Sequence, residues 1–416
     1  MPQRMIQINE DRLLSDLRDL AQIGATAEGG VHRPALTEAD LAGREWFRQS
    51  IHQAGLALQE DGAGNISAVL PSVEPNAKTL LLGSHLDTVP NGGRFDGALG
   101  VLAALEVLRT LADSHRSLPY HLEAISFTDE EGNWIPLLGS SAISGNLNRE
   151  SFTQPRGSKS ELAVALARAG ISVASCLTAQ RNLDEFLAYL EVHIEQGTRL
   201  ESSALDIGIV TSIVGIRSHW LEFVGEAAHA GTKAVAERKD AFWGAADFAI
   251  RARELVLAHF VPGVVNCGIL ELRPGAFNIV PARVRMSLEF RHGTEKQLAE
   301  MEKELLALAE QCAARFDLTL NRSPVAAVAP APMHSGVQAT IAGAAEAMAL
   351  SHTRLMSFAG HDPQSFAHDI PTGMFFVPCR DGISHNPAEF TRDEDCIHAA
   401  NVLLHSALLI AEGALA

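Results

Sequence analysis

Cysteine is scarce and scattered. The 416 residues hold five, Cys176, Cys267, Cys312, Cys379 and Cys396, and no CxxC pair occurs. An odd, dispersed set of this kind argues against a disulfide framework and fits a reducing cytoplasm. Positive charge is also short: 33 Lys+Arg against 50 Asp+Glu give a formal charge of −17, and no Lys/Arg run is present. Nucleic acid and anionic membrane are therefore excluded as expected partners. No stretch of about 18 uninterrupted apolar residues exists, which argues against a membrane span. The start, MPQRMIQINEDRLL, lacks an apolar segment of signal-peptide length, so the expected location is the cytoplasm. What the chain does have is apolar mass. Hydrophobic residues make up 47%, enough for a large core, and at roughly 100–200 residues per domain the length suggests two to three domains.

The first half alternates strand and helix signals. TLLLGS (79–84), HLEAISFT (121–128) and LEVHI (190–194) read as buried strands, and Ala98 to Leu111 as an Ala/Leu-rich helix. Strands separated by helices imply a parallel or mixed sheet with helices on both faces. Residues 216–322 have a different rhythm: strand HWLEFVG (219–225), helix Ala236 to Phe260, strand VVNCGILEL (264–272), strand VRMSLEF (284–290), a helix, then DLTLN (317–321). Val284, Met286, Leu288 and Phe290 alternate as in a half-buried strand. Leu298, Met301, Leu305, Leu308 and Cys312 fall on one helix face. The order β-α-β-β-α-β is that of a ferredoxin-like domain. Pro324, Pro330 and Pro332 read as a linker after it. Helix and strand signals then resume with Gly336 to Leu350, GMFFVP (373–378) and a closing helix from about Asp393 to Glu412. The expected architecture is an α/β host, 1–212 plus 330–416, interrupted by a ferredoxin-like insertion at 213–329.

Four segments carry ligand-type residues, each at the exit of an expected strand. GSHLDTVPNGGRFDGALG (83–100) offers His85, Asp87 and Asp96; TDEEGNW (128–134) offers Glu130 and Glu131; HIEQG (193–197) offers His193 and Glu195; GISHNPAE (382–389) offers His385. In open α/β sheets, ligand sites lie beyond the carboxyl ends of the strands. Imidazole with carboxylate suits a divalent ion such as zinc, and a two-metal site needs a carboxylate bridging ions roughly 3.5–4 Å apart. Asp96, in a loop made permissive by Gly92, Gly93 and Gly97, is the candidate bridge. The Asp87 carboxylate is placed to orient the His85 imidazole. Of the adjacent pair Glu130 and Glu131, one is expected to ligate and the other to move protons, since a divalent ion lowers the pKa of a bound water to about 7. Taken singly, each segment has a plainer reading as a turn, a helix surface or a strand end. The Gly-rich stretch lacks GKS/GKT and GxGxxG, so a nucleotide loop is weakly supported. Their conjunction carries the metal reading.

Together with AHAGT (228–232), AGHD (359–362) and FVPCRDGISHNPAE, these segments resemble the hydantoinase/carbamoylase group of dinuclear metallo-amidohydrolases over about residues 10–412. That group comprises N-carbamoyl-L-amino-acid hydrolases, allantoate amidohydrolases and β-ureidopropionases, within the aminoacylase/carboxypeptidase superfamily. The resemblance implies a zinc-exopeptidase-like α/β/α catalytic domain with an inserted lid that also makes a homodimer. It implies two divalent ions per subunit, zinc first, with manganese, cobalt or nickel as alternatives. His85, Asp96 and His193 would hold one ion, and Asp96, Glu131 and His385 the other. Glu130 would be general base and proton donor, and His229 would steady the oxyanion. Gln196, Asn278, Arg291, Gly360 and His361 would line the substrate, with the Arg291 guanidinium gripping a carboxylate. The chain departs from the group's usual pattern at EEGNWI (Trp134), at TKAVAERKD after His-Ala-Gly, and at SFAGHD (Phe358); these alter pocket walls and spare every ligand. VGIRSH (214–219) has one Arg where allantoate hydrolases tend to have two, which leans toward an N-carbamoyl-L-amino acid over allantoate or a β-ureido acid. An aminoacylase or dipeptidase, or a non-catalytic metal-binding relative, are the remaining alternatives.

Overall fold

A computed structural model describes residues 5–415. In chain order its strands are β1 (Ala57–Glu60), β2 (Ile66–Leu70), β3 (Thr79–His85), β4 (His121–Phe127), β5 (Phe186–Ile194), β6 (Ile207–Ile213), β7 (Gly215–Val224), β8 (Val264–Asn266), β9 (Leu270–Arg273), β10 (Arg283–His292), β11 (Thr319–Val328), β12 (Ala331–Pro332), β13 (His352–Ser357) and β14 (Thr372–Val377). Its helices are α1 (Glu10–Gln22), α2 (Glu38–Gln53), α3 (Ala98–Asp113), α4 (Leu138–Ser144), α5 (Lys159–Arg168), α6 (Val173–Cys176), α7 (Arg199–Ser203), α8 (Ala241–His259), α9 (Glu295–Arg315), α10 (Ser335–Ala347) and α11 (Asp393–Ala411). They form two compact units. One runs to Thr211 and takes up Met333–Leu355 and the chain from Ala359 onward; the other is Ser212–Pro332 with Met356–Phe358.

The first unit is built on a mixed sheet in which the strands β1-β2-β4-β3-β5-β14-β6 are consecutive neighbours. β3 runs parallel to β4 and β5, and β14 parallel to β5, so the exits of β3, β4, β5 and β14 share one edge of the sheet. Period-two alternation divides the strands between two faces. Leu80, Leu82, Leu122, Ala124, Leu190 and Val192 pack against one set of helices, and Leu81, Ile125, Phe127 and Tyr189 belong to a second cluster with Phe366 and Ile370. α3 is buried on every side from Ala98 to Leu111, as a helix apolar all round must be. Its buried acidic residue, Glu106, is answered by Arg12 and by the Asn9 N–H. Arg33 is likewise enclosed. Its guanidinium donates to the carbonyls of Leu20, Ile23 and Leu86, and burial pushes its pKa down to about 10.

The second unit is a five-stranded antiparallel sheet, order β11-β7-β10-β8 with β9 also on β10. α8 and α9 share its apolar cluster with Leu221, Phe223, Val284, Met286, Leu288 and Phe290. The five residues expected on one face of the second helix, Leu298 through Cys312, are all buried. Three expectations need correction. The helix placed from Ala236 begins at Ala241, where the Asp240 side chain accepts the Phe242 N–H and caps it. The single strand 264–272 is two short strands, with Gly268 in the break. Pro324 is no linker residue: it lies inside β11, tolerated because β11 is an edge strand whose register shifts between Pro324 and Ala326. Among the described residues no helix is long and apolar enough to cross a membrane.

Candidate metal centre

Each strand exit delivers its group by a distinct local device. His85 is the last residue of β3 and 1% exposed. The chain then loops back so that Asp96, 4% exposed, precedes α3. Gly97 opens that helix at φ +64°, and a Cβ there would collide with the His85 ring, so glycine is required. Glu130 and Glu131 follow β4 in a turn whose first residue, Asp129, has φ +55°. His193 points from within β5, and His385, at φ +54°, from the loop after β14.

These groups converge. Asp96 Oδ1 lies 3.1 Å from His193 Nε2 and 3.5 Å from His85 Nε2, while Oδ2 lies 3.5 Å from His385 Nε2. Glu131 Oε1 stands 3.5 Å from His385 Nε2, and Glu130 Oε2 3.5 Å from His85 Nε2. Two of the compact donor sets that result, His85/Asp96/His193 and Asp96/Glu131/His385, share one carboxylate. Their chemistry fits divalent cations. His193 Nδ1 is 2.9 Å from the Ile194 carbonyl and His85 Nδ1 3.0 Å from the Asp87 carbonyl. Both contacts require an N–H at Nδ1, so Nε2 is the nitrogen each ring turns toward carboxylate oxygen and would offer to a cation on giving up its proton. Glu131 Oε1 is buried and has no hydrogen-bond partner, a costly state that a cation relieves.

The electrostatics are those of crowded, desolvated carboxylates. Burial, with Asp362, Glu131 and Asp87 nearby, drives the Glu130 carboxyl well above its usual range despite His85. Burial and Asp96 push Glu131 up to about 8. Burial works against ionising Asp96, but His193 and His85 prevail and hold it well below the usual range. For His85, burial is likewise outweighed, by Glu130, Asp96 and Asp87, and its pKa rises. His361 goes the other way: burial, with His193 beside it at 4.6 Å between ring centroids, keeps it neutral.

Other expected residues are placed as follows. The Asp87 carboxylate is 3.8 Å from His85 Nδ1, and the ring is met by the Asp87 carbonyl instead. That carboxylate accepts the N–H groups of Glu130 (3.4 Å) and Glu131 (3.3 Å), so it orients the Glu130–Glu131 turn. Glu195 caps α7 through the N–H groups of Arg199 and Leu200. Gln196, read as a substrate group, donates from Nε2 to Asp96 Oδ2 at 2.7 Å and leaves Oε1 buried without a partner. The N–H of His361, next to Gly360, donates to Gln364. In the second unit His229 is exposed, its Nδ1 accepting the Gly231 N–H. It pairs across a bridge with Ile279, beside Asn278, whose carbonyl accepts the Ala230 N–H. Arg291 donates to Glu289 and to the Phe358 carbonyl. Three groups were overlooked in the sequence. Glu191, on β5, forms a further donor cluster with His193 and His361, and His85, Glu130 and Glu131 form another. Ser384 and Glu389 flank His385 and contact Asp96 or its loop. Burial and Asp96 raise Glu389 to about 7 against the hydrogen bonds that lower it. Only their presence in the GISHNPAE segment could have pointed to the last two.

Comparison with known proteins agrees with this geometry. Residues 81–408 match peptidase family M20/M25/M40. The chain is 34% identical over 411 residues to an N-carbamoyl-L-amino acid amidohydrolase of Geobacillus stearothermophilus, covering 98% of this chain and 100% of that protein. It is 33% identical to an allantoate amidohydrolase of Bacillus subtilis, covering 89% and 90%. A crystal structure of a hydantoinase/carbamoylase family amidase from Burkholderia ambifaria superimposes with a TM-score of 0.89 at 36% identity, covering 98% of each chain. The chain thus belongs to peptidase family M20/M25/M40, among the amidohydrolases of its hydantoinase/carbamoylase group.

Proposed function

We propose that the chain hydrolyses the ureido group of an N-carbamoyl-L-amino acid, releasing the amino acid, ammonia and carbon dioxide. The observation that carries this reading is the pair of donor sets sharing Asp96 with Glu130 alongside, in a chain whose relatives include N-carbamoyl-L-amino acid amidohydrolases. His85, Asp96 and His193 would hold one divalent ion and Asp96, Glu131 and His385 a second, zinc first. Such ions supply Lewis acidity toward the ureido carbonyl and toward the attacking water. Glu130, its affinity for protons raised by burial, takes the proton from that water and returns it to the departing nitrogen. His229 donates a hydrogen bond to the oxygen on which charge develops. Gln196, Gly360, His361 and Asn278 line the ureido acid, and Arg291 binds its carboxylate. Residues 213–329 would serve as lid and dimer contact. Exposed Trp243, Ile250 and Leu257 at seven-residue spacing on α8 support the second role.

The test is ammonia release from a panel of N-carbamoyl-L-amino acids, allantoate, N-acetyl amino acids and dipeptides. The expected result is turnover of the first class, lost by a factor of a hundred or more, on the order of general acid–base catalysis, in Glu130→Gln with metal content unchanged. Preference for allantoate, or full activity in Glu130→Gln, would overturn the substrate or the base assignment respectively.

A further inference from the structure

Glu389 is 3% exposed and spends its oxygens on the segment that carries Asp96. Oε1 accepts the backbone N–H groups of both Phe95 (2.9 Å) and Asp96 (3.1 Å). Oε2 is 2.9 Å from the Ser384 hydroxyl, and that hydroxyl is 2.7 Å from Asp96 Oδ2. The approach is so close that a Cβ on Gly93 would overlap the Glu389 carboxyl group. One buried side chain thus links three things: the main chain at 95–96, the Asp96 carboxylate through Ser384, and the loop that presents His385. It belongs to neither of the donor sets that share Asp96.

A shared carboxylate works only in one orientation. Asp96 must turn Oδ1 toward His85 and His193 and Oδ2 toward His385 and Glu131; a modest rotation spoils both sets at once. Its main chain has no regular secondary structure to hold it, since α3 starts two residues later. We propose that Glu389, through Ser384 and the Phe95 and Asp96 amides, is the positioning residue that fixes Asp96 for divalent-cation binding. This rests on the reading of Asp96 as the shared ligand given above.

The experiment titrates full-length, metal-free protein with Zn2+ and with Mn2+ against a chromophoric chelator. Metal-free melting temperature, kcat and KM are recorded alongside. Glu389→Gln keeps a carbonyl oxygen for the two amides and an N–H for the Ser384 oxygen, so affinity and kcat should stay within about threefold of wild type, the small cost of an isosteric hydrogen-bond exchange. Glu389→Ala strands two buried N–H groups, and folded Glu389→Ala should bind about 10–100-fold more weakly, the usual cost of losing an outer partner of a metal ligand. kcat should fall with it and KM change little. Ser384→Ala removes only one hydroxyl and should lower affinity by about tenfold, the lower end of that range. Wild-type affinity in Ser384→Ala or in folded Glu389→Ala, or a Glu389→Gln no better than the alanine variant, would overturn the proposal. Asp96→Asn serves as the reference: if it binds metal as wild type does, the shared-ligand reading itself fails, and the proposal with it.

Discussion

His193 Nε2 faces Asp96 Oδ1 across 3.1 Å, with both side chains buried. Nδ1 is committed to the Ile194 carbonyl, so Nε2 is the nitrogen that meets Asp96, and against burial Asp96 raises the His193 pKa, which holds a proton in that gap. A divalent cation would take the place of that proton between the same two atoms, so metal should stabilise the fold as well as enable the reaction. A ligand at a hundred times its dissociation constant adds about 2.7 kcal/mol per site. Exhaustive chelation should lower the melting temperature by several degrees and abolish ammonia release, and Zn2+ or Mn2+ should restore both. Chelator-treated protein that melts and turns over unchanged would refute the donor-set reading.

Gly97 makes the same argument from sterics. Its φ of +64° is closed to most side chains, and a Cβ would overlap the His85 ring. Gly97→Ala must displace either His85 or the start of α3. Metal affinity should fall at least tenfold, as when the support of a ligand is lost, while the far-ultraviolet circular dichroism keeps its native shape, because α3 is held along its length by the main core. Isothermal titration with Zn2+ measures the first and the spectrum the second. Unchanged affinity would show that the ring has room to move.

Much of this was legible because strands and ligands coincide in the sequence. TLLLGSH ends a buried run on the residue that becomes a donor, and LEVHI does the same for His193. Periodicity gave the two helices and the alternating strand of the insertion, since those pack one face against one cluster. What it missed depends on neighbours distant in the chain. Pro324 looks like a linker until β11 is known to be an edge. Glu389 looks like the tail of a motif until Phe95 and Asp96, nearly three hundred residues earlier, present their N–H groups to it. Asp87 was assigned by spacing to His85, yet its carboxylate is taken by two amides from the exit of β4.

Arg291 ends β10 with its guanidinium already engaged. Nη2 donates to Glu289 Oε1 at 2.7 Å, Nε donates to the same oxygen at 3.0 Å, and Nη1 donates to the Phe358 carbonyl at 2.9 Å. These contacts fix the plane of the fork, which a lysine cannot reproduce. If that fork grips the substrate carboxylate, Arg291→Lys should raise KM for an N-carbamoyl-L-amino acid by about 10–100-fold, the worth of charge-assisted hydrogen bonds at roughly 1.5–3 kcal/mol, and leave kcat nearly unchanged. The corresponding carboxamide, which offers no anion, should be hydrolysed by variant and wild type with similar KM. Steady-state ammonia assays on the two substrates separate the cases. A loss confined to the carboxylate substrate assigns Arg291 to recognition; an equal loss on both would mean that the guanidinium instead supports the ends of β10 and the 356–358 segment.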